Sequence, residues 1–362
     1  MGWIDLCELK EKSKSFSDST KREYFEEWLR LATEKKDLHL MRKLIEEENV
    51  DPNAEDSTGT TSIHIAAEQS DATTLLFFLS LNTKININAQ DKLGQTPLMI
   101  AISHGCEEVV RILLAQPNLD VNKVDMRGHT PLMTACYPGG ETIVSMLLSH
   151  EHIQVNKADF YYKETALIKI AVNELNPELV RLLLTRDDIN VNAQDKDRFT
   201  ALMYSCMNGN TEIVRILLEH KDIDINLMRD FENEKDWEFK VLQNPFKVIK
   251  QNRNALILAC EESPTEVISM LLQREELQTS ACNIEAIVYF IMSRKPRKPK
   301  TYGTLDIKDK RAMRAVIDEA VSKNLIDIAR WLLKIEGYTE QCMFRAISFR
   351  PLRRRSIKKN KK

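Results

Sequence analysis

The stretch Asp91-Lys92-Leu93-Gly94-Gln95-Thr96-Pro97-Leu98-Met99-Ile100-Ala101 reads as a tight turn running straight into a helix. Gly94 suits the positive φ of a turn opened by Asp91. Thr96 is placed to cap the helix. Pro97 takes its first position, where no amide hydrogen is needed. Leu98 and Ala101 share one face, and His104-Gly105 end the helix. Glu107-Glu108 favour a second helix start, and Val109, Val110, Leu113 and Leu114 form its apolar stripe. Asp120-Val121-Asn122 then leads into another turn.

This unit recurs. The opening threonines Thr61, Thr96, Thr130, Thr165 and Thr200 are spaced 35, 34, 35 and 35 residues apart, each preceded by an aspartate: Asp56, Asp91, Asp125, Asp159 and Asp195. A fixed period of that length predicts stacked helix pairs, whose product is an extended surface rather than a catalytic pocket.

Thr96-Pro97-Leu98-Met99-Ile100-Ala101, Thr130-Pro131-Leu132-Met133-Thr134-Ala135, Thr200-Ala201-Leu202-Met203-Tyr204-Ser205 and the recurring Val-Asn-x-x-Asp resemble the ankyrin repeat. The resemblance implies an all-α solenoid of two antiparallel helices per repeat, with a projecting β-hairpin finger. It also implies that protein partners meet the finger tips and the exposed end of each first helix. By register these positions include Ser57, Thr58 and Thr60, then Lys92, Leu93 and Gln95, then Met126, Arg127 and His129. His64 is implied to join the hydrogen bonds between finger and helix.

Five repeats are expected over residues 56–226, preceded at 1–55 by a degenerate helical cap. Asn254-Ala255-Leu256-Ile257-Leu258-Ala259-Cys260 opens a further repeat over 254–280. It starts 54 residues after Thr200, so 227–253 reads as an extended finger carrying Trp237, Phe239 and Phe246. Divergent helices follow over 281–349, with Val316, Ala320, Ile328 and Leu332 facing inward, and a tail over 350–362. Capping units are expected at both ends, where the stacked core would otherwise meet water.

Composition fits a mostly helical protein: 362 residues, 43% hydrophobic, with no apolar run approaching a membrane span. The first residues lack a signal-peptide core, and Gly2 is not followed by Ser or Thr at position 6, so an intracellular, unanchored protein is expected. Seven cysteines form no CxxC pair, and neither they nor the seven histidines show zinc-ligand spacing. Cys136, Cys206 and Cys260 share the slot six residues after the opening position, filled by Ala67 in the first repeat, and read as small packing residues. There is no phosphate loop, HExxH or GxSxG. No catalytic activity and no cofactor or metal is expected.

The fourth and fifth fingers depart from the pattern. Phe160-Tyr161-Tyr162 follows Asp159 with no glycine, and the finger Asp195-Lys196-Asp197-Arg198-Phe199 has also lost it. Two more residues separate Asp159 from Ala171 than in neighbouring repeats. Met126, Tyr137, Phe160, Tyr161, Tyr162 and Phe199 are candidates for one aromatic and apolar band, joined by Arg127 and His129. The alternative is that Phe160 or Phe199 folds beneath its finger to replace lost packing.

Charge is segregated. Arg294, Lys295, Arg297, Lys298 and Lys300 lie within seven residues, and the tail carries Arg350, Arg353, Arg354, Arg355, Lys358, Lys359, Lys361 and Lys362. The whole chain is −2 and these segments hold 13 positive charges, so the remainder is −15. Such blocks suit a nuclear import receptor, nucleic-acid phosphates or anionic lipid, or stay solvated without a reader. Ser356 follows three arginines, a pattern resembling a basophilic kinase site; phosphorylation would oppose these contacts. Two functions are therefore expected: an adaptor that binds a protein partner and is addressed to the nucleus, or a protein whose basic segments contact RNA or DNA.

Overall fold

The computed structural model describes residues 6–69, 72–81, 85–174, 176–228, 254–277, 287, 291, 310–323 and 325–335. Trp237, Phe239 and Phe246, the basic loop at 294–300 and the tail at 350–362 lie outside the described residues. The chain divides into two compact units, Met1–Ala201 and Leu202–Lys362.

The first unit opens with α1 (Leu6–Lys12), α2 (Asp18–Glu34) and α3 (Leu38–Glu47). Ser17 caps α2 through the Thr20 amide and Asp37 caps α3 through the Leu40 amide. Phe25, Leu29, Met41 and Leu44 are buried between these helices.

Four helix pairs follow: α4 (Ser62–Glu68) with α5 (Ala72–Ser80), α6 (Pro97–Ser103) with α7 (Glu107–Leu114), α8 (Pro131–Ala135) with α9 (Glu141–Leu148), and α10 (Ala166–Val172) with α11 (Pro177–Leu183). The first helices stack in the order α4, α6, α8, α10, and the second helices in the order α5, α7, α9, α11. Thr96, Thr130 and Thr165 start their helices as the sequence predicts. Each hydroxyl accepts from the amide three residues on, at 3.3, 3.2 and 3.4 Å. The two layers bury Leu98, Met99, Leu132, Leu167 and Ile168 on one side, and Val110, Leu113, Leu147, Val180 and Leu183 on the other. Complete burial of such a side chain contributes about 1.5–3 kcal/mol.

Hydrogen bonds also tie each repeat to the next. The amides of Asn86, Asp120, Gln154 and Asn190 donate to the side-chain oxygens of Asn53, Asn88, Asn122 and Asn156 at 2.8, 2.8, 2.8 and 2.7 Å. The side-chain amides of Asn88, Asn122 and Asn156 donate onward to the carbonyls of Asn118, His152 and Asp188. Asn88, Asn122 and Asn156, each following Ile or Val, are thus clamps between loops. His64 adds another link. The Thr61 amide donates to Nδ1, which puts the ring proton on Nε2, shared between the Ala89 and Gln95 carbonyls at 3.2 Å each.

In the second unit, α12 (Ala201–Met207) and α13 (Thr211–Leu218) are followed by α14 (Ala255–Glu262) and α15 (Thr265–Leu272), then α16 (Lys310–Ser322) and α17 (Ile326–Ile335). Asn254 caps α14 through the Ile257 amide at 3.0 Å. The Asn226 side-chain amide donates to the Glu276 carbonyl at 2.8 Å, the same loop clamp bridging fifty residues. Ser263 Oγ donates to the Cys206 carbonyl, and Arg215 pairs with Glu266 at 3.0 Å. The repeat at 254–277 therefore packs on the one that ends at Asn226. Val316, Ala320, Ile328 and Leu332 are all buried.

Candidate functional site

Five fingers project from the first unit, and each is closed by one backbone bond of 3.0 Å: Asp56 to Thr60, Asp91 to Gln95, Asp125 to His129, Asp159 to Glu164, and Asp195 to Phe199. In four of them the aspartate Oδ1 also accepts from the amides two and four residues on, as Asp125 does from Arg127 and His129 at 2.8 Å each. This network holds the turn without a ladder, and none of the described residues lies in a β-strand.

The tips are stitched to one another. Lys92 N donates to Thr58 O, Met126 N to Leu93 O, Phe160 N to Arg127 O, and Lys196 N to Tyr162 O, at 2.8, 2.9, 3.0 and 2.8 Å. Such close approach needs glycine in the earlier fingers. Gly128 has φ +83°, and a Cβ there would stand 2.5 Å from Phe160 N and 2.7 Å from its ring. In fingers four and five, Lys163 and Arg198 take the positive φ instead, at 59° and 61°.

The expected two-residue insertion in finger four is one residue. Asp159 closes on Glu164, and the Asp159 side chain accepts from the Tyr162 amide, three residues on, at 2.8 Å. The second apparent residue is a register effect, because Ile170 fills the buried slot held by Ala101 and Ala135.

Leu93, Met126, Phe160, Tyr161 and Tyr162 form an exposed row along the stitched tips, 63%, 62%, 55%, 64% and 54% accessible. Tyr137, at the end of α8, is also exposed and lines a groove of 590 Å³ with Leu93, Met126, Arg127 and His129. Ile102 and Ile143 make part of its apolar wall. The Lys196 ammonium sits 4.1 Å from the Tyr162 ring centre. The Phe160 ring covers Gly128 of finger three with one part and leaves the rest exposed.

Phe199 is the correction. It is buried, at 8% exposure, and takes no place in the exposed row. It occupies the closing position of its finger, directly before the helix-opening threonine, where both its amide and its carbonyl face Asp195 and its side chain turns inward.

Behind the row lies an ionic cluster that sequence reading missed. Asp159 is 1% exposed, and its Oδ2 lies 3.4 Å from Lys169 Nζ and 3.9 Å from His129 Nε2. Lys169 also pairs with Glu164 at 3.2 Å, and His129 Nδ1 lies 3.6 Å from Asp125. Burial is the main cause holding His129 below its ordinary pKa, with Lys169 adding to it; Asp125 and Asp159 pull the other way. Burial likewise lowers His64, against the Gln95 and Ala89 carbonyls that favour its charged form.

Cys136, Cys206 and Cys260 are buried, and burial pushes the Cys136 thiol up to about 12. Thiols so placed are inert packing groups. Among the described residues there is no group of three or more metal-ligating side chains, and no helix is long and apolar enough to cross a membrane. Arg294, Lys295, Arg297, Lys298, Lys300, Arg353, Arg354, Arg355, Lys358, Lys359 and Ser356 lie outside the described residues.

A family model described as ankyrin repeats, in three copies, matches residues 29–125, 74–159, 119–195 and 170–286. Rabankyrin-5 of Homo sapiens and of Mus musculus is 37% identical over 59 residues, 16% of this chain. The match spans only 5% of the length of those relatives. Among solved structures, the ankyrin repeat domain of Bcl-3, a unique member of the IkappaB protein family, is similar with a TM-score of 0.53 at 23% identity. That likeness covers 67% of this chain and 96% of the other, and it concerns the fold alone.

Proposed function

Because the chain belongs to the ankyrin-repeat family, we propose that it is a non-catalytic adaptor that holds a protein partner on fingers two to five and the groove beside them. Ankyrin repeats generally mediate protein–protein interaction. The observation that carries the site is the exposed row Leu93, Met126, Phe160, Tyr161 and Tyr162, continuous across three hydrogen-bonded fingers. Contiguous apolar surface of this kind marks interaction sites, and Tyr supplies large contact area with a polar handle. Arg127, His129 and Tyr137 flank the row along the groove.

The basic segments at 294–300 and 350–362 have the composition of a nuclear address read by an import receptor, and this would make the adaptor nuclear or nucleocytoplasmic. Ser356 would modulate that address through phosphorylation. The strong segregation of charge also favours a second reading, in which these segments contact RNA or DNA phosphates without sequence preference.

A crosslinked pull-down from cells separates the two. The adaptor reading expects the same protein partner with the full chain and with a chain ending at Phe349, with or without nuclease, and its loss with Tyr161→Ala and Tyr162→Ala together. Loss of the partner on truncation or after nuclease moves the function to the basic segments.

A further inference from the structure

We propose that the finger-tip row takes an extended acidic peptide bearing aliphatic or aromatic residues; this rests on the reading of that face as a protein-binding surface and specifies its partner. Lys92, Arg127, Lys163 and Lys196 give each finger from two to five an exposed cation, and the half-buried Arg198 adds a second in finger five. None of the four exposed cations makes an ion pair with an acid among the described residues. Lys196 instead rests on the Tyr162 ring.

The acids of the same fingers are turned away from the tips. The Oδ1 atoms of Asp91 and Asp125 each accept from two backbone amides of their own turn, and Asp195 Oδ1 accepts from those of Asp197 and Phe199. Asp159 is buried against Lys169. Asp197 is the one exposed carboxylate among the tip residues of fingers two to five, since Glu164 is half-buried and pairs with Lys169, so the tips carry a positive balance in a chain whose remainder outside the basic segments is net acidic.

Spacing defines the ligand further. Packed helices lie about 8–10 Å apart, and three residues of extended or polyproline-type chain advance about 9–10 Å. Acids three residues apart would meet successive finger cations, while the residues between them cover Leu93, Met126 and the Phe160–Tyr162 aromatics. Single-stranded nucleic acid fits less well. It presents a charge at every nucleotide and favours a groove of closely set cations, whereas here fingers two to four carry one exposed cation each and the adjoining groove holds Asp125, Ile102 and Ile143.

The test is fluorescence anisotropy of the full chain with a labelled peptide carrying glutamate at every third position, each followed by leucine or phenylalanine. The controls are the glutamine-for-glutamate peptide, a peptide of the same composition with its glutamates clustered, and labelled poly-uridylate. The glutamate-spaced peptide is expected to bind at least about tenfold tighter than the glutamine peptide and tighter than the clustered one, and to weaken with salt. The variant Lys92→Glu, Arg127→Glu, Lys163→Glu, Lys196→Glu should lose that binding, with the milder four-glutamine variant as the check should it misfold.

Equal binding of glutamate and glutamine peptides, no saturable binding of either, or wild-type affinity in the charge-altered variants overturns the proposal. Tighter binding of poly-uridylate to the same cations reassigns the row to nucleic acid and also overturns it. A cellular protein partner that survives charge reversal but is lost with Tyr161→Ala and Tyr162→Ala overturns the acidic ligand alone. Survival through both sets of changes overturns the protein-binding reading of this face as well.

Discussion

Lys169 Nζ lies 3.4 Å from Oδ2 of Asp159, a carboxylate that is 1% exposed and receives one backbone hydrogen bond, from the Tyr162 amide. The extra residue in finger four removes the second amide that the other finger aspartates enjoy, and a lysine from α10 supplies the compensation. The pair therefore anchors the aromatic finger to the helix behind it.

Removing the lysine leaves a buried charge without a counterion. Lys169→Met is expected to destabilise the protein by about 3–5 kcal/mol. Adding Asp159→Asn should return a large part of the loss, because the charge goes with its partner. Urea unfolding of the two variants and the double variant checks this; additive losses would contradict it.

The fingers differ in how they meet the positive φ of the turn. Gly128→Ala combines a left-handed alanine with an approach of 2.5 Å to Phe160 N, and should cost at least about 2 kcal/mol. Lys163→Gly relieves a left-handed side chain at φ 59° and should stabilise by about 0.5–1 kcal/mol. Thermal unfolding of the two variants should shift in opposite directions.

Asn122 accepts from the Gln154 amide at 2.8 Å and donates to the His152 carbonyl at 2.6 Å. Asn122→Ala is expected to cost about 1–2 kcal/mol, at net values of roughly 0.5–1.5 kcal/mol per bond. Faster amide exchange at Gln154, with the Asp120 amide (held by Asn88) and the finger-tip amides unchanged, would locate the loss in the clamp.

His64 and His129 both have folded pKa values below the ordinary 6.5. The unfolded chain then takes up protons first as pH falls, so stability is full above about 6.5 and declines below it. Urea midpoints should fall from pH 7.5 to pH 5.5, and less steeply in a His129→Gln variant. A midpoint that rises on acidification over that interval would contradict the burial of neutral imidazoles.

The helix pairs were legible because each local signal agrees with the stacked structure. Thr96, Thr130 and Thr165 cap as their spacing requires, and the apolar residues that follow them are the buried ones. The loop asparagines were visible as a recurring Val-Asn, but a polar loop residue looks solvated until its partner in the next repeat is known. Lys169 and Asp159 were hidden for a related reason: among 54 acids many pairs arise by chance, and their contact depends on a one-residue change in finger length. Phe160 and Phe199 looked alike as aromatics in fingers lacking glycine. The signal that separates them is position within the finger, since Phe199 directly precedes the helix-opening Thr200 and Phe160 directly follows the finger aspartate.

Hydrogen–deuterium exchange of the full chain, alone and with its captured protein partner, locates the binding face. Protection is expected at the tip amides of fingers two to five, including Met126, Phe160 and Lys196, together with Tyr137, with little change along α5, α7, α9 and α11. Protection confined to those second helices, or to the basic segments at 294–300 and 350–362, would contradict binding of the partner at the fingers.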